Sequence, residues 1–129
     1  MVLLRRTDLL FEIFNVTLNK PSVSKGYLHF KVPKAITFNT CILQVFDKNG
    51  IVSGSLTIDI KYNTTANDIG MTTIFSVAPT IDFATASDYA TSNGTMSVTT
   101  IPAGSYVRLD VTSIPSGWVG YCHVLFNAI

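Results

Sequence analysis

The chain has 129 residues, a formal net charge of +1, 47% hydrophobic residues and 13% charged ones. That length suits one domain, and a charge near zero removes the electrostatic drive for nucleic-acid binding. The charged share is well under the roughly 25% usual in soluble domains, yet no apolar run approaches the roughly 20 residues of a membrane-spanning helix.

Taken in chain order, the first segment is "MVLLRRTDLLFEIF". It lacks the sequence of basic region, apolar core and small-residue cleavage site that marks a signal peptide. It reads as an attachment arm, with Leu3, Leu4, Leu9, Leu10, Phe11 and Phe14 as apolar contacts and Arg5 and Arg6 as charge partners. "FNVTL" (14–18) and "YLHFKV" (27–32) alternate apolar and polar residues, the period-two signature of a half-buried strand. "CILQVFD" (41–47) is apolar almost throughout, as expected of a central strand buried on both faces. "DKNG" (47–50) carries the Asn-Gly pair of a tight hairpin, and "GSLTIDIKY" (54–62) alternates most cleanly of all. Residues 41–62 are therefore expected to form a two-stranded hairpin.

Alternation fades over 63–94, where small and polar residues dominate and "PTIDFATASDYA" has room for one helical turn. Connections this long usually carry function or some structure of their own. Strands return with "TMSVTTI" (95–101), "SYVRLDVTSI" (105–114) and "WVGYCHVLF" (118–126), separated by the turns "IPAG" and "PSG". Several short strands punctuated by Gly, Pro and Asn, with almost no helix, imply an all-β antiparallel sandwich. The expected form is jelly-roll-like, with about eight strands and one long, partly irregular connection at 63–94. Residues 1–26 read as the arm and first strand, and 27–129 as the sandwich, within a single domain.

Charge is unevenly spread. Residues 1–61 hold eight basic and four acidic residues (+4), whereas 62–129 hold Arg108 against Asp68, Asp82, Asp88 and Asp110 (−3). A dipolar molecule of this kind can stack head to tail or dock on an acidic partner. Cys41 and Cys122 each lie in an apolar strand. Two cysteines are too few for a disulfide scaffold, and free thiols packed as small apolar groups or a single bridge both fit.

Catalytic patterns are absent. His29 and His123 sit on separate strands, and Ser105 and Asp110 carry no nucleophile-elbow signature. Glycoside hydrolysis needs two facing carboxylates, and the sequence nominates no pair. Cys122 and His123 are adjacent on a strand and point to opposite faces, unsuited to one zinc ion. No cofactor is expected, and the protein reads as a non-enzyme. A lectin-like site is the serious alternative, because aromatic rings that stack on sugars occur near amides and carboxylates. Tyr62, Asn63, Asp68, Tyr89 and Asn93 are the candidate glycan contacts. Trp118 and Tyr121 are expected to close the end of the core.

The order "VPKAITF…CILQVFDKNGIVSGSLTIDIKY", then "APTI", then "TTIPAGSYVRLDVTSI…VGYCHVLF" resembles a β-sandwich module of tailed-bacteriophage virion proteins. The matching positions are Pro33, Gly54, Ser55, Asp59, Lys61, Pro79, Thr99, Thr100, Ile101, Ala103, Gly104 and Val111, within roughly residues 27–126. The resemblance implies a virion structural protein, assembled in the host cytoplasm and located on the particle. With a short arm before the sandwich, a capsid decoration or cement protein is expected first, and a tail-fibre or receptor-binding component that recognises host glycans second. The implied partners are the major capsid protein or other virion proteins and further copies of the chain, trimer before dimer, since an apolar surface needs covering. Neither nucleic acid nor membrane is among the expected partners.

Overall fold

A computed structural model describes residues 11–65 and 69–128, with the side chains of residues 11 and 12 outside the description. Twelve strands run in chain order among the described residues: β1 (Phe11–Asn19), β2 (Ser24–Lys31), β3 (Ile36–Val45), β4 (Ser55–Asn63), β5 (Thr72–Thr73), β6 (Phe75–Val77), β7 (Thr80–Asp82), β8 (Thr91–Asn93), β9 (Thr95–Met96), β10 (Thr100–Ile101), β11 (Tyr106–Ser113) and β12 (Tyr121–Ala128). The first sheet has the order β1-β12-β3-β10, with β8 also on β3. The second has the order β2-β11-β4-β5, with β7 also on β4, and β6 and β9 form a separate ribbon. Every pairing is antiparallel.

Renumbering the eight strands of the two main paths from one to eight gives the orders 1-8-3-6 and 2-7-4-5. That interleaving, in which successive long strands alternate between sheets, is a jelly roll, an architecture shared by viral capsid and lectin domains. The alternating residues build it. Leu43 and Val45 of β3, Val124 and Phe126 of β12, Ile58 and Ile60 of β4 and Val107 and Leu109 of β11 all point between the sheets, each at most 1% exposed. Burying a side chain of this size contributes about 1.5–3 kcal/mol.

The expected hairpin at 41–62 does not form. Its turn does: Asn49 and Gly50 both have positive φ (53° and 76°), and the Ile51 N–H donates to the Lys48 carbonyl at 3.0 Å. But β3 pairs with β12, and β4 pairs with β11, in opposite sheets. The turn sits inside a crossover, because the apolar faces of β3 and β4 meet across the core rather than side by side. Trp118 plugs this crossover, its Nε1–H donating to the Asp47 carbonyl at 2.9 Å. The turns "IPAG" and "PSG" likewise carry the chain from one sheet to the other. β3 is buried on one face only, with Ile42 and Gln44 half-buried on the other. "TMSVTTI" is split between β9 and β10, and the connection at 63–94 holds β5 and β7, which extend the second sheet, β8, which joins the first, and β6, which pairs with β9.

β1 pairs with β12 over its whole length, Leu18 is buried, and the Phe14 ring packs edge-on against Phe30 and Phe126 at 6.4 and 5.4 Å. Phe14 thus packs, partly buried, against the core, and among the described residues the first strand of the sandwich is β1. Leu3, Leu4, Arg5, Arg6, Leu9 and Leu10 lie outside the described residues, as does the Phe11 side chain.

Candidate functional site

The two sheets present opposite kinds of outer face. On the second, the outward residues of β11 are Tyr106, Arg108 and Asp110, and those of β4 include Asp59 and Lys61. Register sets Asp110 opposite Asp59, and Arg108 opposite both Lys61 and His29. Like charges directly opposite one another destabilise a sheet, so the compensation runs along the strands. The Arg108 guanidinium grips Asp110 through two parallel bonds, Nε–H to Oδ1 at 2.8 Å and an Nη2–H to Oδ2 at 2.9 Å. The Gly26 N–H adds a third bond to Asp110 Oδ1 at 3.0 Å. The Thr73 hydroxyl donates to Asp59. Burial pushes the Asp59 carboxyl above its ordinary value of 3.8, and the nearby Asp110 charge acts in the same direction; the Thr73 bond and Lys61 oppose them. His29 stacks on Tyr106, with its Nδ1 2.6 Å from the phenol oxygen.

The sequence does not disclose this pair of facing carboxylates, and retaining glycosidases use two carboxyls about 5–5.5 Å apart. Here, however, both oxygens of Asp110 are held by Arg108, and Asp110 is 2% exposed. A depression of ≈ 390 Å³ beside it, lined by Val23, Ser24, Lys25, Lys61, Asp110, Val111 and Thr112, offers no second unspent carboxylate. The network is a self-satisfied brace. Ser105, the hydroxyl weighed for catalysis, is fully buried.

The outer face of the first sheet is the candidate functional surface. Glu12 of β1 is set opposite Asn127 by register, and its side chain lies outside the description. The outward positions with described side chains include Asn15, Thr17 and Asn19 of β1, Tyr121, His123, Leu125 and Asn127 of β12, Ile42 and Gln44 of β3, and Thr91 and Asn93 of β8. None of them is Asp, Glu, Lys or Arg. Tyr121 is 44% exposed and stacks on Phe46, with ring centroids 5.0 Å apart and planes 22° from parallel. His123 meets the Phe46 ring edge-on at 6.2 Å, and its Nδ1 lies 3.1 Å from the Thr17 hydroxyl oxygen. This face of amides, hydroxyls, aliphatics and a stacked aromatic pair has the charge-poor, aromatic-rich make-up of an interface core.

The expected glycan contacts do not gather in one place. Tyr62 and Asn63 end β4, Tyr62 packing on the core and Asn63 bonding its own loop, with its side chain accepting from the Thr65 N–H at 3.1 Å. Tyr89 lies between β7 and β8, and β7 pairs with the first three residues of β4, Ser55 to Thr57. Tyr62 and the β7 end are thus separated along β4 by about 20 Å at ~3.3 Å per residue. Asn93 is on β8, in the first sheet. Asp68 lies outside the described residues. Tyr89 is 72% exposed and lines a polar depression, and Asn93 is exposed on β8.

Trp118 closes the end of the core as expected, its ring edge-on to Phe83 at 5.4 Å, whereas Tyr121 turns outward. Cys41 and Cys122 are free and buried, and desolvation pushes both thiols up to about 12. Cys122 pairs with Val45 and Cys41 with Phe126. The two sulfurs are thus four register steps apart, roughly 13 Å, beyond the reach of a disulfide. Among the described residues, no group of three or more His, Cys, Asp or Glu side chains is placed to hold a metal ion. No protein-family model matches the chain, and no curated protein matches it significantly.

Proposed function

We propose that the chain is a structural component of a bacteriophage virion, a capsid decoration or cement protein that binds the head shell and stabilises it without turnover. The observation that supports this most is the outer face of the first sheet, where the outward side chains named above are all uncharged, offered by a jelly roll. Covering amides, hydroxyls and aromatic rings costs far less than desolvating charges. The partners are the major capsid protein and neighbouring copies, trimer before dimer, and each added contact stabilises the assembled lattice by mass action. Leu3, Leu4, Arg5, Arg6, Leu9 and Leu10 would supply a second grip on the shell.

The test is co-sedimentation of purified protein with heads stripped of it. Leu125→Lys places a charge near the middle of the face and Tyr121→Asp one at its end, and both are expected to abolish attachment while the fold survives. Removal of residues 1–10, which keeps all of β1, reports on the arm. Full attachment by both face variants would sink the proposal.

A second reading, a tail-fibre or receptor-binding component that recognises host glycans, is favoured by the exposed Tyr89 ring above the polar depression.

A further inference from the structure

Tyr89 is part of the lining of a polar depression next to β7 and β8. The depression has a volume of ≈ 420 Å³, and its walls include Thr80, Asp82, Thr85, Ser87, Tyr89 and Thr91. Hydroxyls dominate, with one carboxylate and one aromatic ring, and neither lysine nor arginine lines it. Tyr89 is 72% exposed, more than any other aromatic side chain among the exposed large hydrophobics.

The loop that carries it is braced at several points. Phe83 is fully buried against Trp118, and its N–H donates to the Gly54 carbonyl at 2.9 Å. The Asp82 carboxylate accepts the Ala84 N–H at 2.9 Å, and the Asp82 carbonyl accepts the Ala86 N–H at 2.9 Å. Lys48 reaches in from the β3–β4 crossover and donates to the Phe83 and Ala86 carbonyls, so its charge is spent on the backbone. On the far side, the Val45 N–H donates to the Ala90 carbonyl at 2.9 Å and the Thr80 N–H to Ser92 Oγ at 3.0 Å. An exposed ring on a loop pinned in this way is preorganised, which removes much of the ordering cost of binding. Apolar packing does not account for its exposure.

We infer that this depression binds a neutral saccharide, with a pyranose face stacked on the Tyr89 ring and its hydroxyls bonded to the Thr and Ser hydroxyls and to Asp82. The chemistry selects the class. A ring and a bowl of hydroxyls match a polyhydroxylated ligand that has one apolar face. Asp82 in the wall, with Asp88 next to Tyr89 in the chain and no cation in the lining, disfavours phosphates, uronates and sialylated glycans. The inference deepens the glycan-recognition reading and rests on it, independently of the uncharged sheet face.

The experiment is an amide-shift NMR titration of the full chain with glucose, galactose, mannose and N-acetylglucosamine, with sialic acid as the anionic control. Saturable shifts centred on residues 80–92 for at least one neutral sugar, and none for sialic acid, are the expected result. Tyr89→Ala is expected to weaken that binding at least tenfold, and Tyr89→Phe, which keeps the ring, less than threefold. Leu125→Lys is expected to leave it unchanged, so a failed head-binding test and a failed sugar test are told apart. No saturable shift with any of the four sugars, a response to sialic acid as large as to them, or undiminished binding by Tyr89→Ala would each overturn the inference.

Discussion

The two outer faces share one core and one alternating pattern, yet they use polar residues in opposite ways. The second sheet concentrates charge: Arg108, Asp110, Asp59 and Lys61 lie on two adjacent strands, and the most buried pair is bonded in parallel. The first sheet shows no charged side chain at the outward positions named above, and its exposed ring stacks on another ring. Charge on a protein's surface therefore does not by itself mark a working site. Where the charges satisfy one another, a face is finished; where neutral polar and aromatic groups stand open, a face is available.

Substitutions on the two faces fall in order of size. The largest effect is expected on the charged face. Asp110→Ala would leave the Arg108 guanidinium, 6% exposed, without its bidentate partner. Breaking a buried pair from one side costs about 3–5 kcal/mol, readable as a drop in the denaturant midpoint. Replacing both residues, Arg108→Met with Asp110→Leu, is expected to recover most of that loss, since apolar groups of similar volume need no partner. If the double variant is as unstable as the single one, the network does more than satisfy itself.

Asp59 gives a smaller effect of opposite sign. Its folded-state pKa is raised, so the ionised carboxylate is a cost to the fold above that pKa, relieved as the pH falls through it. Asp59→Asn is therefore expected to stabilise the protein at pH 7 by about 0.2–1 kcal/mol, the range for cross-strand charge pairs. The advantage should shrink as the pH falls from the raised value towards 3.8, the ordinary value, because the parent carboxyl is then neutral too. Thermal melts of parent and variant across that window check it, and an advantage that grows in acid would reverse the assignment.

The smallest stability effect is expected on the uncharged face. Leu125→Lys and Tyr121→Asp are surface changes of at most about 0.5 kcal/mol in isolation, yet they are the ones expected to abolish attachment. A large loss of stability in the free protein would mean that the face is already engaged within the chain. Ser105→Ala sharpens the contrast from the inside. Its Oγ is fully buried and has no hydrogen-bond partner among the described residues, so the change is expected to be neutral or stabilising by about 1 kcal/mol.

Much of this was legible in the residues themselves. Inward and outward positions along a strand depend on a period of two, a local property. "SLTIDIKY" and "YVRLDV" thus show which side chains face the core, though not that Arg108 and Asp110 on the opposite face of β11 are buried as well, and Asn49-Gly50 shows where the chain turns, because positive φ at both positions is a local preference. All-β architecture follows from the same local signals. Partnership does not. A hairpin and a sheet-to-sheet crossover can be built from identical alternating strands around the same turn, and only closure of a shared core put β3 and β4 on opposite sides of it. The facing of Asp59 and Asp110, about 50 residues apart in the chain, depends on register, which the packing of the whole inner face sets. The separation of Tyr62 from Tyr89 and the gathering of uncharged polar and aromatic side chains on the first sheet were decided at that same level, by which strands became neighbours.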